Sequence, residues 1–311
     1  MGIIIFGTIA LATPLIAAAF GGLLSERSGV VNIGLEGMMT TGAFASATVI
    51  ALMDLNGLGG MGAIVAGILI ACLTGGLVGL LHAWLSISYK VDQVISGTII
   101  NIATLAITVY LTKIIFGGAQ TRMITSRPLK VINNNVTMLS VIIILLAVVI
   151  YFLVYKTKWG KHVLAVGENP SAADAMGIDV IKVRYQAVVL SGVLGGLGGA
   201  AIVINSTNSF SGATVAGSGF IALAVLIFGR HNPFGVLAAG FIFGLFKTLG
   251  ASIPTIDPSL MPNALRFLTD VPLVIYLILP YFITIVVLVI FSRNKTISME
   301  ALGTAYDKEV R

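Results

Sequence analysis

Charge is scarce in this chain. Lysine, arginine, aspartate and glutamate make up 10% of its 311 residues, where soluble domains carry about 25%, so an ordinary water-soluble fold is excluded. Cysteine is down to one residue, Cys72, set inside an apolar run. That excludes a disulfide framework or a cysteine metal site and leaves Cys72 as a small buried hydrophobe. The three histidines, His82, His162 and His231, are scattered, and neither H-E-x-x-H nor G-x-x-x-x-G-K-[ST] occurs. Zinc-protease chemistry and a phosphate-binding loop are therefore absent from the sequence. The chain is expected not to be an enzyme, to bind no metal or cofactor of its own, and to take any energy from elsewhere.

What is abundant is apolar. Hydrophobic residues are 57% of the chain and gather in runs of about 20, the length a helix needs to cross a hydrocarbon core of roughly 30 Å. The runs lie near 2–24, 38–53, 60–87, 94–116, 138–155, 186–205, 235–252 and 271–291, with a shorter one at 218–229. The expected fold class is all-α, a polytopic transmembrane helical bundle of roughly eight to ten spans, the count turning on whether 218–229 crosses fully. No basic segment precedes the first run, which reads as a retained span rather than a cleaved signal. A membrane domain over 1–292 is followed by a polar tail, 293–311. The 36 glycines suit this class, because small residues let membrane helices approach closely. Gly75–Gly79, Gly192–Gly196–Ala200 and Gly240–Gly244, at four-residue spacing, predict packing faces.

The net charge of +6 does not point to nucleic acid. Its basic residues sit in short loops beside spans, as the positive-inside bias places them. With Arg27, Lys90, the loop 156–185 and Arg230 in the cytoplasm, the N-terminus lies outside and the C-terminus inside; Arg122, Arg127 and Lys130 then fall outside. The stretch 117–137 that holds these three reads as a surface loop.

Two polar interruptions fall between apolar runs. Ser25–Met39 places Asn32 and Glu36 among glycines just ahead of the second run, and Gly217-Ser218-Gly219-Phe220 opens the short one. Broken helices in corresponding halves mark transport sites, and intramembrane ionisable groups are functional by default. The first interruption also fits an ordinary turn, with Glu36 in a helix's first turn where the dipole favours it. On the fourth run Gln93, Ser96 and Asn101 join Asn32, Glu36 and Phe220 as candidates for a substrate pathway. Asn101, standing among aliphatics, reads either as a helix–helix hydrogen bond or as a substrate-facing amide. Phe20, Phe44 and Phe220 have the shape to stack on a base, though packing is the favoured reading of each. Asn205 and Asn208 are expected at the outer mouth.

The loop 156–185 is more than a connector. It carries Lys156, Lys158, Lys161, Lys182 and Arg184 and a stretch with helical grammar. Asn169-Pro170 can cap and open a helix, Ala172, Ala173 and Ala175 favour it, and Gly177 can close it. A short rigid helix on a polar loop suits docking to an ATPase.

Three motifs in order carry a resemblance. SERSGVVNIGLEGMMTTGAF (25–44), GENPSAADAMGI (167–178) and GSGFIALAVLIFGRHNPFG (217–235) resemble permease subunits of the branched-chain amino acid/ribose class of ABC importers, within it the nucleoside and simple-sugar branch. The likeness runs from about Leu11 to Phe291. It implies a type II importer-like fold in a bacterial plasma membrane. It also implies a second permease, partner ATPases that use ATP, and a substrate-binding lipoprotein. Gly167, Glu168, Asn169, Pro170, Ala172, Ala173, Asp174 and Gly177 match the family's coupling motif. The implied substrate is a nucleoside, purine nucleosides such as guanosine first, with simple sugars as the alternative. A self-contained secondary transporter or channel is the reading from another class; it calls for embedded ionisable residues, of which the sequence offers few beyond Glu36, Lys113 and Lys247.

Overall fold

A computed structural model of the chain describes residues 2–132, 136–252, 271–272, 274–275, 278, 282 and 301–306. Ten helices lie among them: α1 (Gly2–Arg27), α2 (Leu35–Leu55), α3 (Met61–Ala83), α4 (Gln93–Phe116), α5 (Met138–Lys156), α6 (Lys158–Glu168), α7 (Pro170–Ala175), α8 (Val180–Ile202), α9 (Ser218–Phe228) and α10 (Pro233–Ser252). Helices α3 and α8 run on into single π-helical turns, Trp84–Ser88 and Val203–Thr207. Seven of the described helices are long and apolar enough to cross a membrane; α9, at 11 residues, is not. The segment expected at 271–291 and most of the tail lie outside the described residues, as does Asn133–Asn135.

Burial ranks the spans. Helix α8 has 83% of its apolar window buried and α4 only 17%. Accordingly, α8 is the central helix, packed by α1, α2 and α3, while α4 stands at the edge against α2. Glycine makes that centre possible. The backbones of α3 and α8 meet where Gly75 and Gly79 face Gly192 and Gly196, and α2 joins through Gly42 against Gly196. On the other side Gly240 and Gly244 let α10 lie against Ile16 and Ala12 of α1. The three glycine spacings read from the sequence are all packing faces.

Local signals set most boundaries. Asp92 accepts the Val94 and Ile95 amides at 2.9 and 3.0 Å to start α4, and Gly117, at φ +71°, ends it. At the expected cytoplasmic end, Asn232 accepts the Phe234 amide at 3.0 Å to open α10. The preceding turn is pinned to α1, with His231 Nε2 2.6 Å from Glu26 Oε2 and Arg27 Nη2 donating to the His231 carbonyl at 2.9 Å. Two expectations change. The stretch 117–137, expected to be surface loop, includes a small antiparallel pair, β1 (Lys130–Ile132) with β2 (Val136–Thr137). It is tied to α2 through Asp54, which accepts the Thr125 amide at 2.7 Å and the Ser126 hydroxyl. The loop expected to reach 185 ends at Asp179, whose carboxylate accepts the Lys182 amide at 3.0 Å and starts α8 earlier.

Candidate functional site: a braced helix break and a polar helical pair

Between α1 and α2 the chain leaves helical geometry at Ser28–Gly34, with Gly29 at φ +88°. Peptide groups in such a break have lost their helical partners and, inside a bundle, need others. Side chains provide them. Gln93 Oε1 accepts the Val31 amide at 2.7 Å; His82 Nε2 lies 3.1 Å from the Val31 carbonyl, and its Nδ1 lies 3.0 Å from Ser96 Oγ. One step on, Asn101 Nδ2 donates to the Ile33 carbonyl at 2.9 Å while its Oδ1 accepts the Gly37 amide at 2.7 Å. Asn32 turns the other way and donates to Ser191 Oγ of α8 at 2.8 Å.

Next to this break lies an open cavity of about 340 Å3, walled by α2, α4, α9 and the turn before α9. Its polar groups are Glu36, Thr40, Thr98 and Asn101; Ile102, Leu105 and Phe220 supply an apolar wall. Of the six pathway candidates, the structure brings Glu36, Asn101 and Phe220 together here. Asn32, Gln93 and Ser96 lie outside it, buried and committed to the break, to α8 or to His82. Glu36 spends its carboxylate on the start of α9, accepting the Gly217 amide at 2.7 Å and the Gly219 amide at 2.6 Å. Of the aromatics, Phe20 is fully buried and Phe44 packs edge-on to Phe210 at 5.5 Å. Asn205 belongs to a polar knot: it donates to Ser140 Oγ of α5 at 3.0 Å and to Thr13 Oγ1 of α1 at 3.2 Å.

Because Asn101 satisfies two backbone groups at once, Asn101→Leu is expected to cost about 2–6 kcal/mol, one to three for each group left unpaired. In a detergent-solubilised melt its midpoint should fall by several degrees, whereas Thr98→Val, at the exposed rim of the cavity, should shift it by less than a degree or so. An unchanged melt for Asn101→Leu would mean the break holds without it.

The expected docking loop folds as two helices. Thr157 caps α6, accepting the Gly160 amide at 3.0 Å; Asn169 accepts the Ala172 amide at 2.9 Å with Pro170 in the first turn of α7; Gly177 turns the chain at φ +82°. Val163 and Val166 of α6, Ala173 of α7 and Val180 and Val183 of α8 form a small core of their own. The eight motif residues therefore divide. Glu168, Asn169, Ala172 and Gly177 are exposed, Pro170 and Asp174 half-buried, and Ala173 buried. Gly167 is buried too, and a Cβ there would come inside 3.0 Å of the Arg27 carbonyl, so it serves close approach to α1 rather than surface contact.

Sequence reasoning misses three features. His82 reads as one of three scattered histidines, yet it braces the break. Arg184 reads as a loop cation, yet it is buried on α8, with Nε donating to the Ser28 carbonyl at 3.2 Å and Nη1 to the Thr304 carbonyl at 3.0 Å. The tail reads as merely polar, yet 301–306 forms a strap: the Gly303 amide donates to the Gly29 carbonyl at 3.0 Å and the Ala301 amide to the Gly167 carbonyl at 3.3 Å. No local pattern announces contacts such as these, which reach from 51 residues for His82 to 156 for Arg184.

Comparison with known proteins agrees along the whole chain. Residues 4–290 match the family described as the permease component of the branched-chain amino acid transport system. The chain is 38% identical to the guanosine ABC transporter permease protein NupQ of Bacillus subtilis (strain 168), over 100% of this chain and 98% of that protein. It is 35% identical to the nucleoside ABC transporter permease protein NupC of Lactococcus lactis subsp. cremoris (strain MG1363), over 98% and 97%. A putative glucose ABC transporter permease protein, TsgC13 of Haloferax volcanii, is 33% identical over 83% and 79%. No solved structure matches. With seven apolar spans among the described residues, a braced break and a helical pair on the expected docking loop, this polytopic protein belongs to the family of branched-chain amino acid transport system permease components.

Proposed function

We propose that this chain is a permease subunit of an ATP-driven importer of nucleosides, with purine nucleosides such as guanosine as its first substrate class. The observation that carries the reading is near full-length identity of 38% and 35% to two permeases, each named for nucleoside transport. The cavity agrees in size and chemistry. Its roughly 340 Å3 lies within the range of small-ligand sites, and Thr40, Thr98 and Asn101 beside Phe220 suit a neutral, hydrogen-bonding, stackable ligand. The chain is itself no enzyme; hydrolysis belongs to a separate ATPase.

In this reading a second permease closes the open side of the cavity, and a substrate-binding lipoprotein delivers the nucleoside from outside. Partner ATPases press on Glu168–Gly177. The N-terminus lies outside and the C-terminus in the cytoplasm of a bacterial plasma membrane. Force on α6 and α7 has a short route inward. Gly167 abuts the end of α1, and the strap joins Gly167 to Gly29 at the start of the break. Gln93 and Asn101 then hold the break beside the cavity. Alternating access follows if nucleotide-driven closure shifts that break between two positions.

The test is to tag the chain, extract it from native membranes in mild detergent and identify its companions. An ATPase, a second permease and an anchored binding protein are expected, the last binding guanosine in preference to glucose. Glucose preference would move the substrate to sugars. A homo-oligomer without ATPase, active in vesicles carrying only an ion gradient, would overturn the importer.

A further inference from the structure

Lys247, on α10, is a half-buried cation that donates to Ser218 Oγ at 3.1 Å. Ser218 is the residue between the two glycines whose amides Glu36 holds. The turn Gly217-Ser218-Gly219 is therefore clasped from two sides, by a carboxylate on α2 and an ammonium on α10. Close approach is built in: a Cβ on Gly219 would come inside 3.0 Å of the Glu36 backbone, and Gly217 turns at φ +80°. Each charge also faces a cavity. Among the described residues, Glu36 is the one charged group lining the cavity of about 340 Å3, and Lys247 the one lining a second, of about 100 Å3, with Ser206, Thr207 and Thr214.

We propose that Glu36 and Lys247 form an intramembrane charge pair that positions the first turn of α9, and with it Phe220, against the substrate cavity; this rests on that cavity being the pathway. A single buried charge in this setting is costly, and two opposite charges relieve each other. Helix α9 is too short to span and hangs from this clasp at one end. At the other end its turn is pinned to α1 through His231 and Glu26. Whatever loosens the clasp moves Phe220. Both residues are positioning residues.

The experiment uses the full transporter in proteoliposomes and reads guanosine uptake per inserted permease for E36Q, K247M, K247R and the double variant E36Q/K247M. Each neutralising single variant is expected to lower maximal uptake at least tenfold with half-saturation within twofold, because capture precedes this step. K247R should stay within threefold of wild type, and the double variant should lose at least tenfold less than the product of the two single losses. A second readout needs no substrate: in a Phe220→Cys background, labelling by a membrane-impermeant maleimide should change at least fivefold with either single neutralisation and return towards the parent in the double. Losses that simply multiply, with labelling unmoved, overturn the pair. If wild type takes up no guanosine while labelling behaves as stated, the nucleoside reading fails and the pair stands. Should the single variants fail to insert, the double must insert better than either; equal failure counts against the pair.

Discussion

Gly196→Val is expected to lower the amount of folded, membrane-inserted protein at least tenfold. Gly196 sits on α8 where three backbones converge. A Cβ on it would come inside 3.0 Å of the Ala71 carbonyl oxygen, and a Cβ on either Gly42 or Gly75 would come as close to the Gly196 backbone. The obstacle in each case is main chain, which no rotamer change can remove. Overpacking of an ordinary core costs about 1–3 kcal/mol because side chains give way. Here α2 and α3 must instead back away from α8 along their whole seam, forfeiting dispersion contacts that small residues were there to permit. Gly62→Ala, on α3 where an added Cβ meets nothing within 4 Å, is the control, and its level should equal or slightly exceed wild type. Quantifying the tagged chain by fluorescence-detected gel filtration reads both. A monodisperse Gly196→Val peak of wild-type height would show that the seam has slack.

The glycine seam also shows what a sequence can disclose. Its spacing is local, so Gly75–Gly79 and Gly192–Gly196 announce packing faces without saying which face meets which. The caps behave likewise: Asn169, Pro170 and Gly177 act within a few residues of themselves and are legible for that reason. Glu36 stands out as a carboxylate in a break between apolar runs and Asn101 as an amide inside one, and such groups demand partners. Who the partners are is another matter. Glu36 meets amides 181 and 183 residues away, and Arg184 reaches a strap 120 residues on. These are decided by how the bundle closes. Gln93 and Ser96 carry the same polar-in-apolar signal as Asn101. Only the packing shows that their groups are spent on Val31 and His82 away from the cavity, whereas Asn101, spent on the break as well, also lines the cavity.

The second large effect concerns Met176. It ends α7 at the tip of the helical pair formed by α6 and α7 and is 83% exposed. A long apolar side chain there does nothing for the fold of this chain, whose small core under the pair is supplied by Val163, Val166, Ala173, Val180 and Val183. It makes physical sense as a knob for a partner, flexible enough to fit a socket. Burying a methionine is worth about 1.5–3 kcal/mol, and a carboxylate in its place would lose that and add desolvation. Since about 1.4 kcal/mol is tenfold in an equilibrium, Met176→Asp is expected to weaken ATPase association at least tenfold. Substrate-stimulated ATP hydrolysis at limiting ATPase should fall with it, while the solubilised permease melts as wild type does. Ala173→Asp, three residues away and 4% exposed, should do the opposite first, lowering the melt by burying a charge in the loop's own core. The contrast separates docking from folding. If Met176→Asp leaves ATPase retention and hydrolysis unchanged, the contact lies on another face of the pair, and the exposed cations Lys158 and Lys161 of α6 become the residues to reverse.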